Sequence, residues 1–590
     1  AGAKDVAKVA NAVVVLGVVG EARKEIVRAL EARSEELSDE WSHFEADPRG
    51  LSTAAWSLAK AGVTTPVPYS HLARRSAASI RDHSTVDVAT MVWALATARA
   101  QEHAAVAALA TATVTRAAEF SGRETSNVLW AVVALRHPDA GGTLAALEPT
   151  VRAGLGTLAH VGVAATAWAY ATAQVESPGF LAALENAVAR AGPPHAKNHR
   201  PGARLHQKTE IAVGVASERD LRPGQGTAAP GAGPQAQRRW PPQSLASLAW
   251  SLASMRCTSS SPGLAAAVAG VAAQAAECGA QELANTVWAM ATVQLRDQSV
   301  LEVVQHAALQ LEGPREAAGG ATPRSGVAAT AGEAARMGGE AARADPRAGA
   351  GGGGTAADGA ISLALSALAW GLASNGVEEP RIIQALAGKL LHGEVSSQQA
   401  AVAAWAVAAV GGDPGVAARL GARALEGGLA ELAPQSVWQL HQVALAAEIA
   451  GVPFVSGEAG EQLEALAVEA TAETQSSMQA QMLAALRVSY PATREEVSVR
   501  GLLLDAALPD LRLGVEMDGP FHFVNDTEYN LASRFKQRLV EGLGWTVVRI
   551  AHFDWTRLPR DQHASYARER VEGALRASPR RPPPPPPPPR

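Results

Sequence analysis

Tryptophan recurs along this chain at a nearly fixed interval, and that interval constrains the fold more than any other feature. Trp56, Trp93, Trp130 and Trp168 are separated by 37, 37 and 38 residues. Trp250 follows after 82 and Trp288 after 38, then Trp370 after 82, and Trp405 and Trp438 after 35 and 33. Such a period is the signature of a solenoid of helical pairs, in which each unit buries its apolar face only against its neighbours. An array also accounts for a chain of 590 residues, which is too long for one ordinary core.

The local pattern agrees. Five before, one before and two after each Trp stand apolar or small residues, as in Leu51, Ala55 and Leu58, or Leu283, Val287 and Met290, or Leu365, Ala369 and Leu372. Those offsets are i, i+4 and i+7, one stripe of a helix. The Trp lies roughly 140° around from the first of them at 100° per residue. A helix apolar on two sides is sandwiched between neighbours. Each Trp helix is followed by a break and a second Ala-rich helix, as at Ser261-Pro-Gly before 264–278 and Asp413-Pro-Gly before 416–425. Trp supplies 13 aromatics against 8 Phe and 5 Tyr, so the skew largely counts repeats. A Trp at a fixed helical offset beside apolar neighbours reads first as core, with base stacking the alternative. Asn127 and Asn285, each three before a Trp, either satisfy neighbouring backbone or line a concave surface and read RNA bases.

The two gaps of 82 exceed one period by 44 residues. Stretches 191–243 and 313–360, rich in Pro, Gly and Ala, read as disordered inserts between helical repeats at 47–190, 244–312 and 361–486. An N-terminal helical segment at 1–46 precedes them. Basic residues of the first insert, Arg200, Arg204, Lys208, Arg238 and Arg239, either solvate a linker or touch RNA phosphates. The net charge of −5 excludes a uniformly basic nucleic-acid coat but not a local patch. Two cysteines, Cys257 and Cys278, build neither a disulfide framework nor a zinc site, which fits a reducing compartment. The longest apolar run, near 10–20, is too short for a membrane span. The chain starts at Ala1 without Met, so an incomplete N-terminus and a missing transit peptide are expected.

Near Leu486 the composition changes. Segments 499–505, 511–518 and 546–550 are strand-like, with a Pro509-Asp510 turn between the first two. Segment 529–543 has helical spacing, with Leu531, Phe535, Leu539 and Leu543, and a last helix is expected at 563–575. Hairpin, helix, strand, helix makes a small α/β module. Its polar cluster is Asp505, Glu516, Asp518 and His522. Glu516 and Asp518 alternate along a strand and so face one side, with Asp505 on the antiparallel neighbour. Carboxylates converging at strand ends either hold Mg²⁺ for phosphodiester cleavage or are exposed strand ends beside a loop-capping His.

The residues Val515-Glu-Met-Asp-Gly-Pro-Phe-His-Phe523, Arg534-Phe-Lys-Gln-Arg-Leu539, Leu543-Gly-Trp-Thr-Val-Val-Arg-Ile550 and Phe553-Asp-Trp555 strongly resemble a RAP domain, over 487–578. Upstream phrases such as Leu283-Ala-Asn-Thr-Val-Trp-Ala-Met-Ala291 are similar to octotricopeptide-like helical repeats, more loosely. The resemblance implies a mainly α protein: an α-solenoid followed by a small C-terminal α/β domain with a restriction-endonuclease-like fold. It implies a sequence-selective binder of single-stranded organellar mRNA or rRNA in a mitochondrion or chloroplast, with no membrane partner. By the nuclease analogy Asp505 and Glu516 match the metal-binding acids, whereas Asp518 sits where those nucleases carry Lys. Lys536 on the next helix either substitutes for that Lys or lies on a solvated face. His522, Gly519, Arg534, Arg538, Asn127 and Asn285 are the RNA-binding candidates.

Two further readings stay open. One is a Mg²⁺-dependent endoribonuclease acting through Asp505, Glu516, Asp518 and Lys536. The other is a protein-binding scaffold, since solenoids of this kind also bind peptides. The proline run 582–589, within a tail at 579–590, reads as a polyproline II segment, either a ligand or else a spacer or translation-frame artefact.

Overall fold

The computed structural model describes residues 2–191, 240–311 and 356–577, apart from 378, 394, 470–476 and 525–527. Most of both expected inserts, the five basic residues of the first and the proline-rich tail lie outside the described residues. The described chain is a helical-pair array followed by a four-stranded α/β module.

The Trp-bearing helices form one continuous inner row. They run Pro48–Ala61, Thr85–Thr97, Gly122–Ala134, His160–Thr172, Pro242–Ser254, Ala280–Thr292, Ala356–Ser374, Ser397–Ala409 and Pro434–Ile449, and each packs on the next. Ala3–Val15 packs on the Trp56 helix and starts the row without a Trp. The second helices of the pairs, such as Pro66–Ala78, Pro178–Ala191 and Pro262–Ala272, form the outer row. Both rows run across the two long intervals: the Trp168 helix packs on the Trp250 helix, and the Trp288 helix on the Trp370 helix.

Local chemistry explains why each helix begins where it does. Ser84 and Asp87, Ser121 and Glu124, and Ser396 and Gln399 form capping boxes that satisfy otherwise orphaned N–H groups. Leu58, Leu95, Leu129, Leu252 and Leu372 are fully buried between the rows. Truncating one such leucine to alanine costs about 2–5 kcal/mol, set by how far the site relaxes. The Trp438 helix departs from the pattern. Trp438 stands at its fifth residue, where Trp405 is the ninth of its own helix. Gln442 occupies the equivalent place, and its amide oxygen accepts from Trp405 Nε1 at 2.7 Å.

In the module, β1 (Arg494–Val499), β2 (Leu502–Leu508), β3 (Leu513–Asp518) and β4 (Thr546–Ala551) lie in that order. The first two pairings are antiparallel and the last is parallel. A parallel pair needs a crossover, supplied by the helix Leu531–Gly542. The expected single strand over 499–505 is instead broken by a hairpin turn. Arg500 and Gly501 both have positive φ, 51° and 78°, and Val499 pairs with Leu502. Two positive φ values in a two-residue loop match the strand twist. β1 escaped the sequence reading because its Arg494, Glu495 and Glu496 are exposed, as suits an edge strand.

Met482 and Leu486 of the helix Ser477–Ser489 share a core with Val515, Ile550, Trp555 and Val571. Leu531, Phe535 and Leu539 of the crossover helix join the core of the solenoid instead. Phe535 meets Trp405 edge-on at 6.1 Å, and Arg538 donates to the carbonyls of Ala408 and Ala409. Gln294 donates to the Phe523 carbonyl at 3.1 Å, and Arg296 pairs with Glu528 at 3.0 Å. The module therefore docks through its crossover helix, the loop before it and the β1–β2 turn, where Arg500 pairs with Glu448 and Glu464.

Candidate functional site

The strand-end acids do converge, and each is held by a partner. Pairing of β2 with β3 runs from Leu508↔Leu513 to Ala506↔Val515. One residue further on, the Asp505 carboxylate accepts the Met517 N–H at 2.7 Å and a Gln479 amide N–H at 2.8 Å. Glu516 is buried and meets Lys536 Nζ at 2.9 Å. Lys536 therefore reaches into the cluster and is not a freely solvated side chain. Asp518 is fully buried and clamped by both arms of Arg549, whose Nε donates at 2.8 Å. Arg549 also donates to the Ser533 carbonyl at 2.7 Å and lies over the Tyr529 ring. His522 Nδ1 is 3.0 Å from Ser533 Oγ and 3.5 Å from Asp518.

Burial dominates the electrostatics. It raises the Glu516 carboxyl to about 7, against the opposing pull of Lys536 and with some help from Asp505. It also raises Asp505, opposed by the Met517 N–H, and lowers His522 despite the nearby Asp518. An acid raised on folding favours the native state at low pH and costs stability as pH rises through its folded value. Glu516→Gln is therefore expected to gain stability relative to the native chain between pH about 4.5 and 7, then to hold a constant difference. Denaturant midpoints across that range check it; parallel curves would refute it.

A Mg²⁺ ion, which the nuclease resemblance implies, does not fit this donor set. Asp505 is taken by amides, Glu516 by an ammonium and Asp518 by a guanidinium. Among the described residues, no three His, Cys, Asp or Glu side chains are grouped as a metal site requires. The cluster instead braces β3, β4 and the crossover helix. It thereby presents the Gly519–Phe523 turn, on which Phe521 is 88% exposed. Gly519 has ordinary extended φ and ψ, and a Cβ there would meet nothing within 4 Å.

The remaining candidates scatter. Arg538 is spent on the solenoid carbonyls, and Arg534 is half-buried on the same helix. Asn285 is buried and accepts from Gln281 at 2.8 Å, whereas Asn127 is half-buried. The tryptophans divide too. Trp168, Trp250, Trp288 and Trp405 are buried, while Trp56, Trp93, Trp130, Trp370 and Trp438 are partly exposed.

A second row was invisible in the sequence reading. Six residues after Trp93, Trp130 and Trp250, just past the helix ends, stand Arg99, Arg136 and Arg256 with φ of 57°, 52° and 60°. Gln174 and Gln294 hold the same place after Trp168 and Trp288, and Gly62, Gly376 and Gly411 hold it after Trp56, Trp370 and Trp405. The left-handed conformation is glycine's territory. All three arginines are exposed. Arg549 was also missed, though an Arg inside the apolar run Val547-Val-Arg-Ile-Ala551 signals a buried acidic partner.

A solenoid of helical pairs, carrying a small α/β module whose buried acids are internally paired, is the class these features define. Residues 515–570 match the RAP domain, and residues 1–178 match the RNA-editing substrate-binding complex 6 protein family. A RAP domain-containing protein, chloroplastic, of Oryza sativa subsp. japonica is 35% identical over 65 residues. That match covers 11% of this chain and 10% of the length of that relative. The C-terminal module is a RAP domain, and it follows a helical-repeat array. Among the described residues no helix is long and apolar enough to cross a membrane.

Proposed function

We propose that the protein binds single-stranded RNA along the inner row of helices, with sequence preference, in the service of organellar RNA metabolism. The observation that carries this reading is the arginine row. A non-glycine residue in the left-handed region costs roughly 1–2 kcal/mol. A cation at a helix C-terminus returns about 0.3–1 kcal/mol. Helix capping alone therefore leaves Arg136 and Arg256 unexplained, whereas a phosphate backbone passing that edge supplies the missing reason. The same edge leads to the RAP domain, where Gln294 holds the Phe523 carbonyl. There the exposed Phe521 ring offers a stacking surface.

The similar proteins support the RNA and organelle parts of this reading: one family is named for an RNA-editing substrate-binding complex, and one relative is chloroplastic. The direct test is selection of a random-sequence single-stranded RNA pool on the full chain in graded salt. Retention that falls with salt and enriches particular sequences is expected. Retention of all sequences alike removes the selectivity, and no retention at low salt removes RNA binding altogether. Fractionation of cells carrying the tagged protein checks the compartment.

A further inference from the structure

Where the RAP domain meets the inner row, the two enclose a cavity of about 290 Å³. Trp288, Trp370, Trp405 and Trp438 contribute to its walls, and Asn530 and Leu531 of the RAP domain border it on the other side. We propose that this cavity binds one unpaired nucleobase of the RNA strand, a site that rests on the RNA reading above.

Its chemistry selects a flat, neutral ligand with hydrogen-bonding edges. The polar lining is almost wholly amide and hydroxyl, including Gln398, Gln399, Gln435 and Gln439. Among the described lining residues Arg296 is the one charged side chain, and it already pairs with Glu528. A phosphate or an acidic peptide therefore finds no free counter-charge among those described residues. Amides both donate and accept, which suits the edge of a base. Indole faces supply the stacking surface, and the half-buried Trp370 and Trp438 are the ones with area to offer. Trp405 is committed, since its N–H is held by Gln442 and its ring by Phe535.

One atom points to a missing partner. Gln439 is 6% exposed and lines the cavity, and its side-chain oxygen has no hydrogen-bond partner among the described residues. Buried acceptors are rarely left unpaired. An exocyclic amine or ring N–H of a base entering the cavity supplies the donor. The array and the RAP domain thus build one site jointly, and neither part contains it alone.

The test uses the full chain and a random-sequence single-stranded RNA pool substituted with 4-thiouridine. Photocrosslinks are expected on the peptides carrying Trp370 and Trp438. Gln439→Leu removes an unpartnered polar atom and is expected to fold as the native chain does by circular dichroism and thermal melting. It is expected to weaken RNA binding about tenfold, on the scale of one stacked base. Trp370→Leu is expected to do the same. If the native chain binds the pool but Gln439→Leu binds equally well and the crosslinks fall elsewhere, the base site is overturned and the RNA reading stands. If the native chain binds no RNA, the RNA reading falls and takes this site with it.

Discussion

Replacing Arg136 and Arg256 together by glycine is expected to weaken single-stranded RNA binding while leaving the fold intact. Two opposite contributions set the stability. Glycine relieves roughly 1–2 kcal/mol of left-handed strain at each position. It also frees the unfolded chain by about 0.5–1 kcal/mol and forfeits a favourable charge at the helix end of about 0.3–1 kcal/mol. These nearly cancel, so thermal midpoints should barely move. RNA affinity has no such compensation. If each arginine neutralises one phosphate, the slope of log K against log salt should shrink by about 0.7 per residue, or about 1.4 for the double variant. Filter binding at several salt concentrations measures that slope. A double variant that melts well below the native chain with an unchanged slope would show the two arginines to be structural.

The largest stability effect is expected at Arg549. Arg549→Met removes both arms that hold Asp518 and the donor to the Ser533 carbonyl, leaving a fully buried carboxylate without its cation. Removing one partner of a buried pair costs about 3–5 kcal/mol, more than a typical surface ion pair by several-fold. Chemical denaturation followed in the RAP domain is the measurement. Asp518→Asn combined with Arg549→Met should recover a large part of the loss, because no uncompensated charge remains. A loss under about 1 kcal/mol in the single variant would overturn the view that Asp518 depends on Arg549 as its buried partner. His522 and Ser533 sit against the same carboxylate, so the Gly519–Phe523 turn should loosen with it.

The periodicity of the sequence carried most of the fold. One Trp per helical pair, apolar neighbours at fixed offsets and Pro-Gly breaks placed the helices, because each unit repeats the same local contacts. The RAP domain was legible through its contiguous phrases around Val515–Phe523 and Leu543–Ile550. The strand β1 was not, since its charged exposed residues carry no apolar alternation and its turn uses Arg-Gly. The site was half legible. Asp505, Glu516 and Asp518 were chosen as acids at strand ends, yet nothing local to them names Gln479, Lys536 and Arg549 as their partners.

By itself, then, the sequence determined what repeats or is contiguous: helical pairs, their inner Trp stripe and the RAP phrase. Tertiary structure decided which of those side chains remain available. The buried pairs at Glu516 and Asp518 form across 20 and 31 residues of chain. The Trp cavity forms between a repeat array and a domain that follows it. The arginine row exists only because each helix ends in the same left-handed residue, whose φ no composition or period reveals. Burial and pairing are set by distances in space, and those arise only once the chain has closed on itself.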